Sequence, residues 1–200
     1  MAPLARALLA VPEPEQNPTD PVLDLAPDAA DPGVDTSAGL DPRTDPESLT
    51  LCALMWSTDT AAAAARVTGA LVPADFDEPA YAELFTVIAE LVTSGQPHDP
   101  ASIAAVLHRA GGGQKDAPLR RALADVVTAD TTGSSAAVHY ADIVLSQSYR
   151  RSFHITGQRL IQAAEQGPED ELFDYMVQLG TMQRAAWKRL NTFRAGGAHA

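Results

Sequence analysis

A single cysteine, Cys52, rules out an intrachain disulfide and any cysteine-based zinc cluster; it fits a reducing compartment, so a cytoplasmic location is expected. Basic residues are also scarce. Against 26 Asp and Glu stand 14 Lys and Arg, a net charge of −12, which argues against a surface that grips nucleic-acid phosphates throughout. Long apolar runs are missing too. Arg, Asp, Glu, Gly or Pro interrupts each one short of the roughly 18 to 20 residues that cross a bilayer, so no membrane contact is expected. Leu4–Val11 is apolar, but Arg6 is its only positive charge and Pro12, Glu13 and Pro14 follow at once, a poor match to a secretory signal. The 46% of hydrophobic residues suits one modest domain with extensions.

Catalytic machinery is equally sparse. The only lookalike of a phosphate-binding loop is Gly111-Gly112-Gly113-Gln114-Lys115-Asp116, which lacks both the glycine spacing and the hydroxyl that must follow the lysine to reach magnesium. Helical patterns flank it where a strand and a helix are needed. His98, Asp99 and His108 form no metal-binding pattern, and His139 and His154 stand fifteen positions apart on one helical segment, too far for a shared ligand shell. Cys52, between Leu51, Leu54 and Met55, reads as a small core residue rather than a nucleophile. No enzyme activity, cofactor or metal is expected.

What is present divides unevenly. Residues 1–46 hold nine prolines and nine acidic residues against Arg6 and Arg43, and so carry −7 of the total charge; this composition predicts a disordered acidic arm, in which Leu4, Leu8, Leu9 and Val11 read as an ordinary frayed terminus, with a short docking segment as the alternative. From Glu47 the apolar residues take helical spacing. A first helix capped by Asp45 or Ser48 contains Leu51, Leu54 and Met55, and an alanine-rich second helix ends near Gly69. Asp77, two positions before Pro79, is the expected cap of a third, whose Tyr81, Leu84, Phe85, Ile88, Leu91 and Val92 form one stripe. Asp99-Pro100 opens a fourth with Ile103, Val106 and Leu107 inward, and Gly111–Gly113 stop it. Leu119, Ala122, Leu123, Val126 and Val127 mark a fifth.

Ala136–Gln166 contains no proline and one glycine, Gly157, and predicts a long helix capped by Ser134 or Ser135. Gly167-Pro168 turns the chain back into a last helix. There Leu172, Met176, Leu179, Gln183, Ala186 and Leu190 make one stripe, and Phe173, Val177, Gly180 and Trp187 widen it. Two helices cannot bury so broad a face on each other alone, so self-association or a docked partner is expected. Acidic Glu169, Asp170, Glu171 and Asp174 open this helix and Arg184, Lys188 and Arg189 close it, as the helix dipole favours. From Tyr149 onward seven basic residues face five acidic ones, the one region suited to weak nucleic-acid contact.

The run from Glu47 to about Arg189 resembles the N-terminal domain of bacterial replicative DNA helicases of the DnaB type. The resemblance is carried by the helix Leu49–Trp56, by Leu71-Val72-Pro73-Ala74-Asp75-Phe76-Asp77-Glu78-Pro79-Ala80-Tyr81 with Leu84-Phe85 and Ile88 after it, by Pro97-His98-Asp99-Pro100, and by Ser135-Ala136-Ala137-Val138-His139-Tyr140-Ala141-Asp142-Ile143-Val144. The alanine-rich second helix, the Gly111–Lys115 connection and the acidic arm depart from the family pattern.

The resemblance implies an all-α fold, a small orthogonal helical bundle followed by a long antiparallel helical hairpin. The expected layout is an arm over 1–46, a globule over 47–148, the hairpin over 149–192 and a flexible tail over 193–200. It implies pairing through the hairpin, contacts with the replicative helicase or primase, and no ATP hydrolysis, which a separate RecA-like domain performs in complete helicases. The chain is then either a solitary domain that regulates a true helicase or a piece of a longer one. Phe173, Met176, Val177, Trp187 and Leu190 are the expected apolar contacts, with Arg184, Lys188 and Arg189 steering an acidic partner.

Overall fold

The computed structural model describes residues 41–57, 61–109, 117–129 and 135–196. The Leu4–Val11 docking segment, most of the acidic arm, Ser134, the Gly111–Gly113 stop and the end of the tail lie outside the described residues. Within them run helices α1 Pro46–Met55, α2 Ala61–Ala70, α3 Pro79–Thr93, α4 Pro100–Arg109, α5 Ala117–Val127, α6 Ser135–Gln166 and α7 Leu172–Ala195, with 3₁₀ turns at Pro73–Asp75 and Glu169–Glu171. The fold is all-α, a bundle of short helices joined to a long helical hairpin, as expected.

α1 is the centre of the bundle. Every residue from Glu47 to Met55 is buried and no one face holds the apolar side chains, the pattern of a helix enclosed on all sides. α3, α5 and α6 pack around it. Cys52 is fully buried there and its thiol donates to the Ala129 carbonyl at 3.0 Å. Asp45 caps the helix by accepting from the Glu47 amide at 3.0 Å, with Pro46 in the first turn. A turn over Asp41–Asp45 precedes it, so local structure starts before residue 47.

α3 buries Tyr81, Leu84, Phe85, Ile88 and Leu91 on one stripe, and Phe76 lies against Phe85 with ring centroids 4.9 Å apart. Gly95, at φ 65°, ends it: the Gly95 amide donates to Val92 and the Gln96 amide to Leu91, a pairing that needs the left-handed conformation glycine adopts without strain. Asp77 is not the cap that the spacing suggests. Glu78 occupies the cap position and makes no side-chain cap bond, while the amides of Asp77 and Glu78 donate to the Glu47 carboxylate at 2.8 and 3.3 Å. A carboxylate thirty residues upstream does the capping, which spacing along α3 cannot reveal.

α6 is a single helix of 32 residues, about 48 Å long. Ala137, Ala141, Val144 and Leu145 join the core, and Tyr149 packs at its edge. Beyond Tyr149 the helix runs on about 25 Å to Gln166. α7 returns along it. Leu179 is buried in the seam, and Leu172, Gln183 and Ala186 are half-buried there. A polar rung fixes the register: Ser152 donates to Gln183 Oε1 at 2.9 Å and Gln183 Nε2 donates to Thr156 at 2.7 Å. The last turn of α7 reaches the bundle, where Leu190 and Phe193 enter the core and Arg66 lies 4.8 Å from the Phe193 ring. Helix therefore continues to Ala195, past the tail boundary expected at 193.

Candidate functional site

The hairpin is tied to the bundle by a cluster of charges. Asp75, only 1% exposed, accepts from Arg189 Nη1 at 2.8 Å and Nη2 at 2.6 Å, from the Ser148 hydroxyl at 2.6 Å and from the Val72 amide at 2.8 Å. Arg151 donates to the Asp75 carbonyl and lies 3.5 Å from the Glu47 carboxylate and 3.8 Å from that of Asp77. Burial pushes the carboxyl of Glu47 up from its ordinary value, against the amides of Asp77 and Glu78 and the charge of Arg151, which pull it down; burial likewise raises Asp45. The 3₁₀ turn, α1, α6 and α7 thus meet at one ionic joint around the buried Asp75 and Glu47.

From that joint the hairpin presents the expected apolar residues unequally. Phe173 is 68% exposed, Val177 51% and Trp187 52%, and Met176 is exposed as well. Leu190 is a correction: at 6% exposed it belongs to the core, because the last turns of α7 lie on the bundle rather than in solvent. Arg189 is the second correction. Its guanidinium is engaged by Asp75 rather than standing free on the hairpin surface. Arg184 and Lys188 remain exposed. Arg151 and Arg194, counted in the basic region, are also bound to carboxylates, Arg194 to Asp142 at 2.7 Å, so the surface suited to phosphates is smaller than its residue count suggests.

Sequence reasoning missed the half of this face that α6 supplies. Phe153 and Ile161 are exposed on it, and Phe153 meets Tyr149 edge-on with ring centroids 5.0 Å apart. Ser152, Thr156 and Leu160 line the seam, and one position after them come Phe153, Gly157 and Ile161. On α7, Phe173, Gly180 and Trp187 likewise follow Leu172, Leu179 and Ala186 by one position. In antiparallel helices that shared step, about 100° of rotation, turns both stripes to the same side of the hairpin. The spacing of four from 153 to 157 to 161 was the available signal.

The remaining candidates hold nothing together. Asp99 caps α4, accepting from the amides of Ala101 and Ser102 and from the Ser102 hydroxyl at 2.5 Å, which lowers its pKa from the ordinary value. Among the described residues no group of three or more His, Cys, Asp or Glu is placed to hold a metal ion, and no helix is long and apolar enough to cross a membrane.

The family model described as the DnaB-like helicase N terminal domain matches residues 42–146, just over half of the chain. The chain belongs to this family. Neither the curated proteins nor the solved structures contain a match. The DnaB-like domain is the non-catalytic N-terminal part of these helicases, and its matched stretch holds α1 to α5 and the start of α6, with Glu47 and Asp75 inside it. Arg189 and the exposed hairpin face lie beyond the matched stretch, so the ionic joint links residues inside it to residues after it.

Proposed function

We propose that this DnaB-like chain is a non-catalytic oligomerisation and interaction module of DNA replication, and that the broad face of its hairpin pairs with another hairpin of the same kind. One observation carries the reading: Phe173, Val177 and Trp187 are each more than half exposed on α7, the helix that the Asp75–Arg189 joint ties to the bundle. Contiguous apolar surface of this kind is what an isolated soluble domain avoids, and large aromatic anchors are the side chains that dominate association energies. The family supports replication as the setting, with the N-terminal domain of the replicative helicase as the second partner and primase contact as a further role. The exposed Arg184 and Lys188 favour an acidic partner surface, and direct nucleic-acid contact is weak. A cytoplasmic setting follows from the same reading.

Sedimentation velocity on the chain alone, and native mass measurement after mixing it with the host replicative helicase, test this. A concentration-dependent dimer, or a mixed oligomer with helicase subunits, is the expected result. A strict monomer up to tens of micromolar that also leaves the helicase unmodified overturns it.

A further inference from the structure

α7 is held far more lightly than the helix at the centre of the bundle. Nine of the ten residues of α1 are buried, whereas α7 buries Leu179, Leu190 and Phe193 of its 24. Along the seam Leu179 stands alone in this, and beyond Arg151 no residue of α6 is buried; the polar rung of Ser152, Gln183 and Thr156 does the rest. A unit with so little packed apolar surface is the kind that opens first.

The attachment is concentrated at one end. Leu190 and Phe193 enter the bundle core, and three arginines close around them. Arg189 pairs with Asp75 of the 3₁₀ turn at 2.6 Å, and Arg194 donates to Asp142 at 2.7 Å and to Ser146 at 2.6 Å, both on α6. From α2, Arg66 donates to the Phe193 carbonyl at 2.6 Å while facing its ring. The last turns of α7 therefore bridge α2, the 3₁₀ turn and α6. The Arg194–Asp142 pair is open to solvent and Arg189 is partly so, which leaves this clasp within reach of screening by salt.

We infer that residues 152–195 open from the bundle as one unit while α1 to α5 and the start of α6 stay folded, with the arginine clasp as the latch. The two helices of the hairpin leave together. The stretch of α6 beyond Arg151 buries nothing even with α7 in place, so it has no packed face of its own to keep it ordered once α7 departs, and tertiary packing supplies most of a helix's stability. Opening draws Leu190 and Phe193 out of the core and releases the carboxylates of Asp75 and Asp142. The chain thus has two states, one with the edge of α2, the 3₁₀ turn and α6 covered and one with it exposed. This does not depend on what the outer face of the hairpin binds.

Native-state hydrogen exchange of the full chain, at low protein concentration and with stepped urea, tests the latch. The amides of α7 and of residues 152–166 are expected to exchange at one shared rate, at least about tenfold faster than those of α1, and with a weaker urea dependence because less surface is exposed. Raising salt from about 0.05 to 0.5 M, or replacing Arg194→Gln, should speed the hairpin amides about two- to fivefold. Ile88 is fully buried on α3, inside the part that stays folded, so Ile88→Val should speed α1 about two- to tenfold and leave the hairpin rate at the parent value. Hairpin and α1 amides that share one rate and one urea dependence, or that Ile88→Val speeds equally, overturn the inference, since the hairpin then opens only when the whole chain unfolds. Exchange spread residue by residue along α7 overturns the single unit, and a hairpin rate indifferent to both salt and Arg194→Gln overturns the arginine latch.

Discussion

Arg189 reaches from α7 to hold both carboxylate oxygens of Asp75, at 2.8 and 2.6 Å, across 114 positions of sequence. Asp75 is buried and the Arg189 side chain is about a third exposed, 31%, so solvent screens one partner only. Replacing Arg189 by Met leaves the carboxylate with the Ser148 hydroxyl and the Val72 amide, and the expected loss is roughly 2 to 3 kcal/mol, below the range for a fully buried pair. Adding Asp75→Asn should recover part of that loss, since the stranded charge is then gone. Urea midpoints for the two single variants and the double measure the coupling; strictly additive losses would show that the two groups do not act as a pair.

The acids of the joint give stability an uncommon pH dependence. Glu47 is raised from 4.5 by burial and Asp45 from 3.8 by burial, so the folded chain takes up these protons more readily than the unfolded one. Between the unfolded and the raised folded values, stability then falls as pH rises; the cost is full above the folded pKa and absent below the unfolded one. Asp99 acts in the opposite sense. Lowered by Ser102, it contributes above its unfolded value, and the contribution is lost as pH falls through the folded one. Urea midpoints are expected to rise as pH is lowered through the raised folded-state value of Glu47 toward its ordinary 4.5, ahead of acid unfolding, and Glu47→Gln should flatten the rise. Identical profiles for parent and variant would exclude Glu47 as the source.

How far sequence reasoning reached depended on whether the partners of a helix were local. α3 was legible because its large apolar residues form a single stripe, and α4 because Asp99 and Pro100 sit at its own start. α7 was less so: the stripe from Leu172 to Leu190 and the one from Phe173 to Trp187 are both apolar, and periodicity alone does not say which meets α6. The dipole accounted for Arg189 well enough to hide Asp75. In the same way Glu47 caps α3 from another helix, and a rule that looks for a cap beside Pro79 finds Asp77 instead.

Two glycines should respond in opposite directions. A Cβ at Gly167 would lie 2.7 Å from the Ala163 carbonyl oxygen, which also accepts the Gly167 amide at the turn between α6 and α7. Gly167→Ala must displace backbone, and a loss of about 1 to 3 kcal/mol is expected. Gly69, within α2, has open space around it, so Gly69→Ala should gain about 0.5 to 1 kcal/mol from helix propensity. Thermal melts followed by circular dichroism decide the pair; a stabilising Gly167→Ala would mean that the turn is not built on that contact.

Leu190 and Phe173 separate what holds the fold from what faces outward, although both are large apolar residues of the same helix. Leu190 is 6% exposed and sits in the core cluster, so Leu190→Ala deletes packed methyl groups and is expected to cost about 2 to 5 kcal/mol. Phe173 is 68% exposed, and for Phe173→Ala the monomer's stability should stay within about 0.5 kcal/mol of the parent. Association should show the reverse order. Phe173→Ala removes an aromatic anchor from the hairpin face and is expected to weaken the dimer by about tenfold, whereas Leu190→Ala acts on it only through folding. Chemical denaturation at low protein concentration, paired with sedimentation at high concentration, keeps the two effects apart. If Phe173→Ala lowers the unfolding midpoint as much as Leu190→Ala does, that face is already covered within a single chain and has no surface left to offer a partner.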